Sequence, residues 1–146
     1  MKKLAIGLLT CWALLQARAA EELQWLTDLP KAQAQAKKEN KLVMLDFTGS
    51  DWCGWCIKLN KEVFSTPDFA KYAKDNLVLV EVDFPDRKEQ TAAQKTANEA
   101  LKKKYKIRGY PTIIVLNAEG KQVGELHYMN SPKPFIAELE KLKKKA

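Results

Sequence analysis

Three apolar runs of strand length divide this chain: LVMLDF (42–47), LVLVEVDF (77–84) and PTIIVLN (111–117). Almost unbroken apolar runs are what strands covered on both faces look like, whereas a one-sided sheet would alternate. Such strands need helices above and below, and the intervening sequence supplies them. Asp28 and Pro30 provide a cap and a first-turn proline for PKAQAQAKKE, which ends near Asn40. A helix from about Gly54 to Glu62 would put Cys56, Leu59 and Val63 on one face. Another starts at Ser65-Thr66-Pro67-Asp68, and a long exposed one is expected between Arg87 and Lys106, with Ala93, Ala97, Ala100, Leu101 and Tyr105 in register. Ala118-Glu119-Gly120-Lys121 reads as a hairpin turn that returns KQVGELHY antiparallel. Ser131 and Pro132 open a last amphipathic helix. The order α-β-α-β-α-β-β-α implies a three-layer α/β/α fold with a mixed central sheet flanked by helices.

Residues 1–19 stand apart. Lys2 and Lys3 precede an apolar run from Leu4 to Leu15, and Ala17-Arg18-Ala19 has the small-x-small form of a cleavage site, so this segment reads as a secretory signal peptide. The run is shorter than the roughly 20 residues a bilayer span needs, which leaves residues 20–146 as one exported domain, periplasmic or secreted. Cys11 is a small hydrophobe within that run, with lipid attachment as the weaker reading. The whole chain carries +7; without Lys2, Lys3 and Arg18 there remain 22 bases against 18 acids, or +4. Much of this excess lies in the terminal KLKKKA, where cations suit a helix C-terminus, and no nucleic-acid motif accompanies it.

Beyond the signal the cysteines are Cys53 and Cys56, in SDWCGWCIKL. A structural zinc site needs four ligands, and His127 is the one histidine available, on an expected edge strand, so no metal is expected. A bridge across two residues closes too small a loop to stabilise the fold much. Cys53, however, falls just after a buried strand and at a helix start, where free N–H groups and the helix dipole stabilise a thiolate. An exposed thiolate there would be both a nucleophile and a good leaving group.

WCGWC after LVMLDF, with IRGYPTIIVLNAEGK downstream, resembles the thioredoxin superfamily over residues 24–146. The longer DFTGSDWCGWC followed by KEVF is similar to exported thioredoxin-like proteins of bacterial envelopes. The resemblance implies a thioredoxin-like fold and a protein-disulfide oxidoreductase with no dissociable cofactor, its redox centre being a Cys53–Cys56 disulfide. Cys53 would attack and Cys56 resolve. Asp46 would match the buried acid that moves a proton to the resolving cysteine, and Trp52 the aromatic that shields the site. Pro111 would be the family's cis-proline, with the Tyr110 backbone pairing an extended substrate segment as an added strand; Gly54 and Trp55 would lie on the docking face. The partners implied are protein thiols and disulfides and a membrane-bound electron donor or acceptor, with the protein itself a monomer.

Two departures accompany the resemblance. One more residue separates Asp46 from Cys53 than in thioredoxin, with Gly49 placed to absorb it, and Leu79 stands where thioredoxin has a lysine near the acid, with Glu81 as a possible substitute. Trp55 replaces a proline between the cysteines, and the sequence leaves the redox direction open. The competing readings are a peptide-binding module on the same fold and a thiol chaperone delivering metal or heme.

Overall fold

A computed structural model describes residues 22–146; the expected signal segment, and Cys11 with it, lies outside the described residues. The elements in chain order are β1 (Trp25–Leu26), α1 (Leu29–Glu39), β2 (Leu42–Thr48) and α2 (Gly54–Leu59), which continues as a π-helical segment over Asn60–Phe64. Then come α3 (Pro67–Asn76), β3 (Leu77–Asp83), α4 (Ala92–Lys104), β4 (Thr112–Leu116), β5 (Gln122–Leu126) and α5 (Pro132–Lys143). The sheet order is β1-β3-β2-β4-β5. β1 and β2 flank β3 in parallel, while β4 and β5 run antiparallel to their neighbours. The expected mixed sheet between two helical layers is present.

Strand alternation sorts the core into two layers. Met44, Leu79, Ile113 and Val115 pack with Leu59, Val63, Phe69, Phe135 and Leu139 from α2, the π segment, α3 and α5. Val43, Leu45, Phe47, Val80 and Ile114 pack on the other side against Ala32 and Ala36 of α1 and Leu101 of α4. β2 is therefore buried along its whole length, as its unbroken apolar sequence implies.

The local signals operate as read. Asp28 accepts the Lys31 N–H at 2.8 Å, and Asn40 ends α1 in the left-handed conformation. The hairpin turn closes through Asn117, whose side-chain oxygen accepts the N–H groups of Glu119 and Lys121, with Gly120 at φ 84°.

Three expectations need correction. The helix expected from Arg87 starts at Ala92, capped by the Thr91 hydroxyl, because the backbone N–H groups of residues 86–88 are all turned toward Asp51 instead. Ser131 stands at the cap position of α5 but makes no side-chain cap bond. β1 was not expected at all: two residues are too few to show a period, and β3 makes them a strand.

Candidate active site

The end of β2 and the start of α2 are joined by a tight turn. The Gly49 carbonyl accepts the N–H groups of Trp52 and Cys53 at 3.2 and 2.8 Å, and a Cβ on Gly49 would lie 2.5 Å from the Trp52 ring. β2 and β3 stay in unshifted register to Thr48 and Asp83, so the extra residue before Cys53 is taken up in this turn and not as a bulge in the strand. Cys53 is the N-cap of α2, in extended conformation, and its Sγ accepts the Cys56 N–H at 3.2 Å. The two cysteines form a disulfide with their Cα atoms 5.2 Å apart.

The turn is tied to the segment following β3. Asp83 accepts the Ser50 N–H and hydroxyl at 2.9 and 2.5 Å. The Asp51 carboxylate accepts the N–H groups of Asp86, Arg87 and Lys88 at 2.8–2.9 Å, which hold its pKa down at about 2. Lys88 Nζ donates to Ser50 Oγ, and the Trp52 indole N–H to the Phe84 carbonyl at 2.7 Å. Sequence reading missed Asp51, Asp83 and Lys88, because partners about 35 residues apart leave no local signature.

The Tyr110–Pro111 bond is cis, as the resemblance implied. Trp52 brings this loop to the cysteines: its ring meets Tyr110 edge-on at 5.9 Å, and Tyr110 stacks on Phe84 at 5.3 Å. Trp52 and Trp55 are 49% and 57% exposed, with Ile57 exposed beside them. Trp55 combines exposure with packing. Its ring lies 4.9 Å from Tyr128, and Lys58 Nζ sits over both rings. The Tyr128 hydroxyl donates to Glu62 in the π segment at 2.5 Å, a contact no local pattern in the sequence announced. Gly54 is exposed at the first position of α2.

Cys53 departs from expectation. It is 6% exposed against 4% for Cys56, with its sulfur bonded to Cys56 and accepting the Cys56 N–H in the first turn of α2. The expected exposed sulfur is not a feature of this disulfide state.

Asp46 is 8% exposed, and its Oδ1 is buried without a hydrogen-bond partner. Loss of hydration raises its pKa to about 8, reinforced by Glu81 and then Asp83. Strand parity places Asp46 on the sheet face that carries Met44, the face covered by Leu59 and Val63. Cys56 is buried one turn before Leu59 on the same helix. The site thus joins a reducible sulfur pair with a buried acid on the same side of the sheet. Leu79 lies in the apolar core. His127 is exposed, its Nε2 3.4 Å from Glu125. Among the described residues no cluster of three or more His, Cys, Asp or Glu side chains is arranged to hold a metal ion.

Residues 29–143 match a family model described as "Thioredoxin-like domain". The chain is 39% identical over 110 residues to the disulfide bond reductase DsbH of Chlamydia pneumoniae, a match spanning 75% of this chain and 66% of that protein. It is 38% identical over 96 residues to the thiol:disulfide interchange protein DsbD of Cronobacter sakazakii, spanning 66% of this chain and 15% of that one. The chain thus spans slightly under two thirds of the first relative and a small part of the second. A solved DsbH oxidoreductase superposes with a TM-score of 0.80 at 35% identity, covering 90% of this chain and 92% of the other.

Proposed function

The chain belongs to the thioredoxin-like domain family, and from that premise we propose that it is an exported thiol-disulfide oxidoreductase working as a reductase of protein disulfides. The observation that carries this reading is the Cys53–Cys56 disulfide at the start of α2, beside a cis Tyr110–Pro111 loop that Trp52 contacts. The reductive direction is supported by similarity to a disulfide bond reductase.

In the reduced protein, the Cys53 thiolate attacks a substrate disulfide; one substrate sulfur leaves with the bonding electrons, and a mixed disulfide forms. Cys56 then transfers its proton to ionised Asp46 and attacks Cys53 Sγ. The second substrate sulfur departs as thiolate, and the internal disulfide is restored. The backbone N–H of Cys56 already points at Cys53 Sγ, where it would stabilise the nucleophilic thiolate. Trp52, Trp55 and Ile57 offer an apolar landing surface, and the backbone at Tyr110 offers a strand edge for an extended segment.

Re-reduction requires a dithiol partner. The likeness to part of a thiol:disulfide interchange protein supports a membrane-bound donor of electrons. The N-terminal apolar segment supports export, and no helix among the described residues is long and apolar enough to cross a membrane.

The test is reduction of insulin disulfides by the mature protein with a dithiol donor. Cys53→Ala is expected to abolish turnover, and Cys56→Ser to stall as a mixed disulfide whose partner can be isolated. Undiminished turnover by Cys53→Ala would refute the proposal.

A further inference from the structure

β2 and β3 run in parallel register with Asp46 opposite Glu81 and Thr48 opposite Asp83. Paired positions on adjacent strands project from the same face. Asp46, Glu81 and Asp83 therefore emerge together on the side of the sheet covered by α2, among Met44, Leu79 and Ile113. Asp83 has its donors in Ser50. Asp46 has none at Oδ1.

We propose that Asp46 and Glu81 form a dyad that carries one proton between them, with Glu81 as the positioning residue whose negative charge keeps that proton on Asp46. The proposal rests on the disulfide-exchange reading above. Two carboxylates side by side do not both ionise readily near neutral pH, because their mutual repulsion adds to the loss of hydration at the deeper one. Depth decides which one holds the proton: Asp46 is 8% exposed, while Glu81 is half-buried.

The charges around the pair act in the same sense. Asp46 faces Glu81 and Asp83 from β3, the apolar Ile113 from β4, and α2, whose Cys56 is held in the disulfide. Glu81 faces Asp46 and Asp83, and also Lys88 beyond β3, which favours its ionised form against its burial. The adjoining strand β1 contributes only Trp25 and Leu26. Among the described residues no cation stands beside Asp46 as Lys88 does beside Glu81, so the ionised member is Glu81.

The dyad prepares the oxidised protein for re-reduction. When a partner thiolate attacks Cys53, the electron pair of the S–S bond passes to Cys56 Sγ, and the proton held by Asp46 follows it there. Asp46 is left ionised in the reduced protein, ready to take the proton back from Cys56 in the resolving step. The partner's second thiol, after losing its own proton, displaces Cys53, so that one dithiol is oxidised and one is formed.

The experiment is a carbon-13 carboxyl titration of the oxidised full-length mature protein by NMR. The Asp46 midpoint, near 8 in the wild type, is expected to fall by about one unit or more in Glu81→Gln, the size of a close like-charge effect. It falls further in Glu81→Lys and stays within a few tenths of a unit in Glu81→Asp, which keeps the charge. The alkaline limb of the pH–rate profile for disulfide opening by dithiothreitol moves with it. In the wild type itself the Asp46 curve carries a second inflection where Glu81 titrates, as coupled sites require, so the test does not depend on a variant folding. A midpoint unmoved in Glu81→Gln, an equal fall in Glu81→Asp, or a single-step wild-type curve overturns the proposal. These readings come from a carboxyl carbon and the protein's own disulfide, so they fail or succeed independently of insulin turnover.

Discussion

Trp52 donates its indole N–H to the Phe84 carbonyl at 2.7 Å, so the aromatic beside the disulfide is anchored to the segment after β3 and not to the helix that follows it. The same ring covers Gly49, where a side chain would stand 2.5 Å from it. Gly49→Ala is therefore expected to displace Trp52, breaking this bond and its edge contact with Tyr110. The expected cost is about 1–3 kcal/mol in urea unfolding, together with a shift in tryptophan fluorescence. Unchanged fluorescence would show that the ring tolerates the methyl group.

The clamp at Asp51 makes a separate pH prediction. Its folded pKa, about 2, lies below the ordinary 3.8 because three backbone N–H groups hold the carboxylate. A depressed carboxyl pKa contributes stability that is present above the unfolded value and lost as pH falls through the folded one. Wild-type stability should thus decline between about pH 4 and pH 2, and Asp51→Asn should flatten that part of the profile. Chemical unfolding across this range provides the measurement.

Asp46 acts in the opposite sense. Its folded pKa, about 8, lies above the ordinary 3.8, so the folded state binds the extra proton between those values and loses stability as pH rises from about 4 to about 8. Asp46→Asn, which cannot ionise, should be more stable than wild type at pH 7 by an amount on the order of a few kcal/mol. Insulin reduction should fall by about a hundredfold, the scale of a lost general acid–base group. A variant that is stabilised yet fully active would remove Asp46 from the mechanism.

Packing at the β5 edge of the sheet is equally tight. A Cβ on Gly124 of β5 would collide with the Leu142 side chain, which is packed in the core. Gly124→Ala should cost about 1–3 kcal/mol through overpacking, and Gly124→Ala with Leu142→Ala should cost less than the two single changes combined. A double-mutant cycle in denaturant checks this; strict additivity would contradict the contact.

Phe69 is fully buried between Phe64 and Phe135, with ring centroids at 5.0 and 6.0 Å. Phe69→Ala should lower stability by about 3–5 kcal/mol while leaving the chemistry of the folded fraction intact. Thermal unfolding and activity at low temperature separate the two effects.

Features written in a few consecutive residues were legible before any fold was in view. Apolar runs marked β2, β3 and β4 because strands buried on both faces leave no polar alternation to read. Asp28, Pro30 and Thr66 marked helix starts because a cap bonds only three residues ahead, and Cys53 was legible as a helix-start thiol for the same reason.

Relationships that span the chain came from packing alone. Glu81 and Asp46 lie 35 positions apart, and whether they share a face depends on the β2–β3 register, which no local period encodes. The late start of α4 follows from Asp51 capturing the N–H groups of residues 86–88, and β1 exists because β3 offers it an edge. Local bonding preferences are properties of a short segment. Burial, register and the charge surrounding a buried acid are properties of the packed whole, and they set the proton affinity of Asp46.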